Sequence, residues 1–169
     1  SPKDMKVNRI GDAIDHVNET AIGSGTTLAP ARSILIVIRG MILAHSVPVA
    51  LTTRPVAFNQ DMKAIVVSDA FVPEFLLYWL QGKAPAILHL VDVANHGTKR
   101  LPSQLLFALP LPQPTRKEQE EVCETLESVD RRIEAESKVL RLLVCAKENL
   151  SMSLLTGDAR VVGAPAEGR

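Results

Sequence analysis

Cysteine is scarce in this sequence: Cys123 and Cys145 are the two present among 169 residues. Two thiols cannot build a disulfide framework. On one helix they would stand about 33 Å apart at about 1.5 Å per residue, far beyond disulfide reach. They read as a reduced pair. No apolar run approaches the roughly 18 to 20 residues of a membrane span, and the greasiest, Ser33-Ile-Leu-Ile-Val-Ile38, has the length of a strand. The charged start Ser1-Pro2-Lys3-Asp4 has no apolar signal region, so a cytoplasmic location is expected. The first residue is not Met, as in a trimmed chain or a fragment.

Signatures of catalysis are missing as well. There is no Gly-x-Gly-x-x-Gly and no phosphate loop, and Gly23-Ser-Gly25 is too short to cradle phosphate. No Gly-x-Ser-x-Gly elbow occurs, and neither cysteine has a histidine near it in sequence. An Asn-Pro-Pro-aromatic tetrapeptide, as an adenine methyltransferase carries, is absent. His16, His45, His89 and His96 show no metal-ligand spacing. Glu136-Ser-Lys138 mimics half of a nuclease Glu-x-Lys motif, but it falls within a helical repeat and reads as a solvated face. A chain that is not an enzyme and holds neither metal nor cofactor is the expectation.

What is present divides at Pro114. Residues 1–114 carry ten Lys and Arg against eight Asp and Glu, and residues 115–169 carry nine against eleven. A mildly basic body beside an acidic appendage permits nucleic-acid binding without announcing it. In the body, SILIVI at 33–38, VPVAL at 47–51, PVAF at 55–58 and KAIVV at 63–67 are Val- and Ile-rich runs broken by polar turns, the pattern of short strands. A helix follows from Ser68 to Gly82, with Pro73 suited to its first turn and Gly82 to its end. Tyr78 and Trp79 on it read as core. Beyond it the pattern weakens: helix over Pro85 to Ala94, a turn at Asn95-His96-Gly97, and a short helix from Pro102 to Leu106. Leu106-Phe-Ala-Leu-Pro-Leu111 reads as an edge strand, since proline cannot donate to a central ladder.

After Pro110, Pro112 and Pro114 the grammar changes. Thr115-Arg-Lys-Glu118 fits a capping box, no proline or glycine occurs from Thr115 to Thr156, and Gly157 supplies a left-handed stop. The helix so marked is about 60 Å long at about 1.5 Å per residue. Its seam, Val122, Leu126, Val129, Ile133, Glu136, Leu140, Leu143, Lys147, Leu150 and Leu154, alternates steps of four and three, the repeat of a coiled coil. An antiparallel pairing centred between residues 141 and 142 sets Glu136 against Lys147 of the partner, Ile133 against Leu150, Leu140 against Leu143 and Val129 against Leu154. Antiparallel self-association, with that polar layer fixing register, is the expectation. The fold class expected is α+β: a small mixed recognition domain over 1–114, a long coiled-coil helix over 115–157, and a flexible tail over 158–169.

Leu109-Pro-Leu-Pro112, Glu118-Gln119 and the helix end Leu154-Leu-Thr-Gly-Asp-Ala-Arg-Val161 resemble the spacer region of the specificity subunit of type I restriction-modification systems. Arg39-Gly-Met-Ile-Leu43, Phe58-Asn-Gln-Asp-Met-Lys-Ala64 and Gly97-Thr98 resemble its target recognition domain. Together these motifs cover about residues 33 to 161. The resemblance implies a non-catalytic reader of one half of a bipartite double-stranded DNA target. Its long helix would dock the modification subunit, through which the restriction subunits join, and S-adenosylmethionine and ATP would belong to those partners. The usual subunit has two recognition domains and two such helices. A single set, which also lacks the first strands of a complete recognition domain, implies a half-subunit that forms an antiparallel homodimer, or a fragment paired with a second half.

Contact with DNA calls for Arg or Lys on phosphate and for Arg, Asn, Gln, Ser or Thr on base edges. The turns between strands supply Arg39, Thr52, Thr53, Arg54, Asn59, Gln60 and Lys63, and a later loop supplies Asn95, His96, Thr98, Lys99 and Arg100. Lys99 and Arg100 are expected on phosphate and Arg54 in a groove, while Asn59 and Gln60 fit a structural turn equally well. Two other readings fit the sequence. One is a recognition module of another DNA methyltransferase, and the other is a coiled-coil assembly protein with no DNA role.

Overall fold

The computed structural model describes residues 1–23, 25–94 and 97–160. In chain order the strands are β1 (Arg9–Ile10), β2 (Thr27–Ala29), β3 (Ser33–Val37), β4 (Val49–Thr52), β5 (Val56–Phe58), β6 (Met62–Val66), β7 (Asp92–Val93) and β8 (Lys99–Arg100). The helices are α1 (Pro73–Leu88), α2 (Ser103–Phe107) and α3 (Arg116–Thr156). This is the expected mixed α and β domain followed by a long helix. The chain divides into two compact units, the first Ser1–Glu124 and the second beginning at Thr125.

In the first unit β3 is the axis. Its five residues are all buried, so the apolar run noted in the sequence is a strand covered on both faces. It lies inside a sheet of order β1-β4-β3-β6, antiparallel to β4 and β6, with β1 added parallel to β4. Two small sheets, β2 with β5 and β7 with β8, flank it. Helix α1 packs against β3 and β4 and sends Leu76, Leu77, Leu80 and Ile87 into the core. Trp79 packs at the edge of that core and Tyr78 beside Val72, Phe75 and Cys123, in the role read for them.

Three expectations need correction. Helix α1 does not stop at Gly82 but continues past Pro85 to Leu88. Gly and Pro cost a helix about 1 and 3 kcal/mol. Extending it brings Ile87 to full burial and packs Ala84 and Leu88 on the core, a gain of similar size at about 2 kcal/mol per large side chain. The edge strand over 106–111 is absent: α2 takes Leu106 and Phe107, while the residues from Leu109 to Thr115 join no strand. Leu106 is buried by α2, and the prolines at 110, 112 and 114 have no amide to give a ladder. Finally, Arg9–Ile10 and Thr27–Ala29 form strands where the sequence reading found none, and Asp92–Val93 and Lys99–Arg100 form strands where it expected the end of a helix over Pro85 to Ala94 and a loop. The turn expected at Asn95 and His96 and the tail beyond Arg160 lie outside the described residues.

The start of α3 is built as its motif suggests. Thr115 donates from its backbone N–H to Glu118 Oε2 at 2.8 Å, and the Glu118 N–H donates to Thr115 Oγ1 at 3.4 Å. The Thr115 hydroxyl, which donates to Glu118 Oε2 at 2.7 Å, and after it the Thr115 N–H hold the Glu118 carboxyl below its ordinary range. The next residue, Gln119, is 1% exposed. Its side chain accepts from Val72 N at 2.7 Å and donates to the carbonyls of Ala70 at 3.1 Å and Pro114 at 3.0 Å. One amide thus ties the first turn of α3 to the first turn of α1 and to the proline segment between.

In the second unit α3 runs to Thr156, and Gly157 has φ +83°, the left-handed stop. None of its described residues from Thr125 onward is buried. The aliphatic seam positions lie open, Leu140 and Leu143 among the most exposed. No helix among the described residues is long and apolar enough to cross a membrane.

Candidate nucleic-acid interface

Strand β3 sorts the expected contact residues into two groups. Ile34 lies opposite Leu51 on β4, so Thr52, Thr53 and Arg54 gather where β3 begins. Val37 lies opposite Met62 on β6, so Asn59, Gln60 and Lys63 gather where β3 ends, beside Arg39. Arg32 and Arg39 bracket the strand, about 23 Å apart at about 3.3 Å per residue.

At the first end the side chains are committed to the fold. Thr52 is 1% exposed; its hydroxyl accepts from Ser33 N at 2.9 Å and donates to the Pro30 carbonyl at 2.8 Å. A buried hydroxyl with donor and acceptor both used cannot reach a base edge, so Thr52 leaves the candidate set. The Thr53 hydroxyl donates to the Ile10 carbonyl at 3.3 Å and fills the space that a Cβ on Gly11 would need. Arg54, expected in a groove, is exposed and stands 3.6 Å from Asp12. The His16 ring at 2.8 Å, aided by the Ala13 N–H and the Arg54 charge, holds the Asp12 carboxyl below its ordinary range.

The same end contains an ion cluster that sequence reasoning missed. Glu74, in the first turn of α1 and buried, receives both terminal nitrogens of Arg32, at 3.3 and 3.1 Å, and one from Arg9 at 3.4 Å. Arg32, which carries that fork, has φ +62°, a conformation L-residues seldom take. The partners lie 42 and 65 positions apart, so no local pattern announces them.

At the opposite end the cations have acids as strand neighbours but not as ion-pair partners: Asp92 on β7 lies across from Arg100, and the Asp61 carbonyl accepts from Arg39 N at 3.1 Å. Arg39 and Arg100 are direct partners across an isolated antiparallel bridge, held by Gly40 N–H to the Lys99 carbonyl at 3.0 Å and Leu101 N–H to the Ile38 carbonyl at 2.8 Å. Both arginines are exposed. Side chains directly opposite on an antiparallel pair stand about 5 Å apart, and like charges there repel. Lys99 and Lys63 are half-buried close by. Among the described residues no carboxylate forms an ion pair with Arg39, Lys63, Lys99 or Arg100. Asn59 is a turn residue, its Oδ1 accepting from Asp61 N at 3.2 Å, whereas Gln60 is exposed at the tip. Thr98 is half-buried and its carbonyl accepts from Ala94 N at 2.8 Å. Asn95 and His96 lie outside the described residues. No group of three or more His, Cys, Asp or Glu among the described residues is placed to hold a metal ion.

A basic sheet end on a mixed α and β domain, followed by a capped helix with an open heptad seam, defines a class of protein, and sequence comparison gives the class a family. The chain belongs to the type I restriction modification DNA specificity domain family, whose profile matches residues 2–143. It is similar to the type I restriction enzyme EcoR124I/EcoR124II specificity subunit of Escherichia coli, at 32% identity over 131 residues. That match takes in 77% of this chain and 32% of the relative, so the chain spans about a third of the length of that curated protein.

Proposed function

We propose that this chain is a non-catalytic DNA reader that recognises one half of a bipartite target with residues 1–114 and spaces it with the helix over 115–157. The observation that carries the first part is the pair of arginines across the bridge from Arg39 to Arg100, with Lys99 next to Arg100 on β8. Their mutual repulsion is relieved by an anion, and a phosphate backbone is the anion that fits an extended basic edge. Family membership supports double-stranded DNA as its source. Lys99→Ala with Arg100→Ala is expected to weaken binding to every duplex and to make the dependence of log K on log salt shallower by about two. Titrations of a random-sequence duplex at several salt concentrations read that slope, and an unchanged value removes this edge from the interface.

The open seam supports the second part. Val122, Leu126, Val129, Ile133, Leu140, Leu143, Leu150 and Leu154 are all exposed aliphatics, and such a stripe is stable in water when a second helix covers it. The partner is a second copy in antiparallel register, or the other half of a longer subunit, with Glu136 facing Lys147. Within its own helix Glu136 also lies 3.9 Å from Arg132, an exposed pair that is easily exchanged. The paired helices would dock the modification subunit, and the restriction subunit would join through that complex. S-adenosylmethionine and ATP would be held by those subunits, in the cytoplasm. Cysteines placed at 136 and 147 in a Cys145→Ser chain are expected to cross-link between copies; bridging of 136 to 136 instead would indicate parallel pairing.

A further inference from the structure

We infer that the groove between β2, β6 and the end of α2 receives a single nucleobase that has left the duplex stack, with Phe107 as the surface on which it lies. This rests on the DNA reading above. Thr27, Phe58, Asn59, Gln60, Lys63 and Phe107 line the groove, whose volume is about 510 Å³. Helix α2 turns Leu106 into the core and leaves Phe107 61% exposed. An uncovered phenyl forgoes about 2 kcal/mol of burial, and nothing among the described residues takes it up. Phe58 packs on the core as a fixed apolar wall. Asn59 is occupied with Asp61, but Gln60 and Thr27 are exposed and present amide and hydroxyl groups to the same space.

Charge complementarity selects the occupant. Lys63 borders the groove and no carboxylate does among its described lining residues, so the ligand is anionic beside its apolar part. The groove is concave, and a concave wall cannot be inserted among stacked pairs as a wedge can. A base swung out of the stack fits it: aromatic surface against its face, amide and hydroxyl against its edge, ammonium against its phosphate.

Phe107 is exposed on a short helix, so its replacement should leave the melting temperature unchanged. Fluorescence anisotropy would follow two labelled probes, an oligothymidylate of about 10 nucleotides and a random-sequence duplex. Phe107→Ala is expected to weaken oligothymidylate binding about 5- to 100-fold, the loss of one stacked base. Phe107→Trp should restore it, and duplex binding should fall far less. Duplex binding with oligothymidylate affinity indifferent to Phe107 overturns this inference and leaves the DNA reading standing. Absence of binding to either probe in the unaltered chain removes the DNA reading itself, and this inference with it. A Phe107→Ala loss that Phe107→Leu repairs as fully as Phe107→Trp also overturns it, since apolar area and not stacking would then be what counts.

Discussion

The two ends of β3 carry the same kind of residue in opposite circumstances. Where the strand begins, Arg9 and Arg32 converge on the buried Glu74, and Arg54 sits beside Asp12. Where it ends, Arg39 faces Arg100 with Lys63 and Lys99 nearby and no carboxylate in an ion pair with any of them. Charge that is already answered within the fold serves the fold, because a guanidinium spends its directional donors once. Charge left unanswered raises a local potential that an external anion lowers. Basic residues are therefore not equivalent evidence for DNA contact, and what separates them is whether an acid has reached them first. The answered end is also where α3 starts, since Gln119 bonds Val72 just ahead of Glu74 in α1. One end holds the first turn of α3, while at the other Arg39, Lys63, Lys99 and Arg100 make no ion pair among the described residues.

The largest effect expected at the holding end comes from Gln119→Ala. It removes three hydrogen bonds, leaves the buried Val72 N–H without an acceptor and opens a void, which together cost about 3 kcal/mol. Urea denaturation measures this, and a loss within experimental scatter would mean that α3 is attached by other contacts. Glu74→Ala ranks next at about 2 kcal/mol, below the cost of breaking a fully buried pair because both arginines are half in solvent. Its salt slope for duplex binding should equal that of the unaltered chain. A shallower slope would show that Glu74 positions Arg32 or Arg9 on phosphate, and the contrast between the ends would fail.

How far the sequence reveals these ends depends on how local each feature is. The capping box of Thr115 and Glu118, the glycine stop at 157 and the heptad seam all repeat within a few residues, so spacing alone locates α3. Strands β3 to β6 are legible because Val- and Ile-rich runs between polar turns have few other uses. Thr52 misleads, since in sequence it opens a polar turn while in the fold β4 runs one residue further and carries its hydroxyl inward to Ser33. Arg32 and Glu74 meet only in three dimensions, as do Arg39 and Arg100 across a bridge that no periodicity predicts. The candidate cations were thus visible as residue types. Which of them remain without an ion pair is a property of the folded pairing.

A smaller effect sharpens the contrast directly. Arg39→Ala is expected to reduce the salt slope for duplex binding by about one, as one phosphate contact requires, while Arg54→Ala should change it by less than about half of that. Arg39→Ala should leave stability unchanged or slightly raised, because it removes the repulsion with Arg100. Equal slopes for the two variants would place both ends on the DNA and make the distinction between answered and unanswered charge irrelevant to contact.

The smallest effect concerns the cap of α3 and its sign can be fixed in advance. Hydrogen bonds from the Thr115 hydroxyl and N–H favour the charged Glu118, so its folded-state ionisation lies below the ordinary 4.5. A carboxyl depressed in this way stabilises the folded chain fully above its unfolded ionisation range, and the contribution fades as pH falls through the folded one. Glu118→Gln keeps a side chain able to complete the box without the charge. The unaltered chain should therefore melt slightly higher than Glu118→Gln at neutral pH, with the difference shrinking as the pH is lowered below the ordinary carboxylate range. A difference constant across that range would mean that the carboxylate charge contributes nothing at the cap, and that shape alone starts the helix.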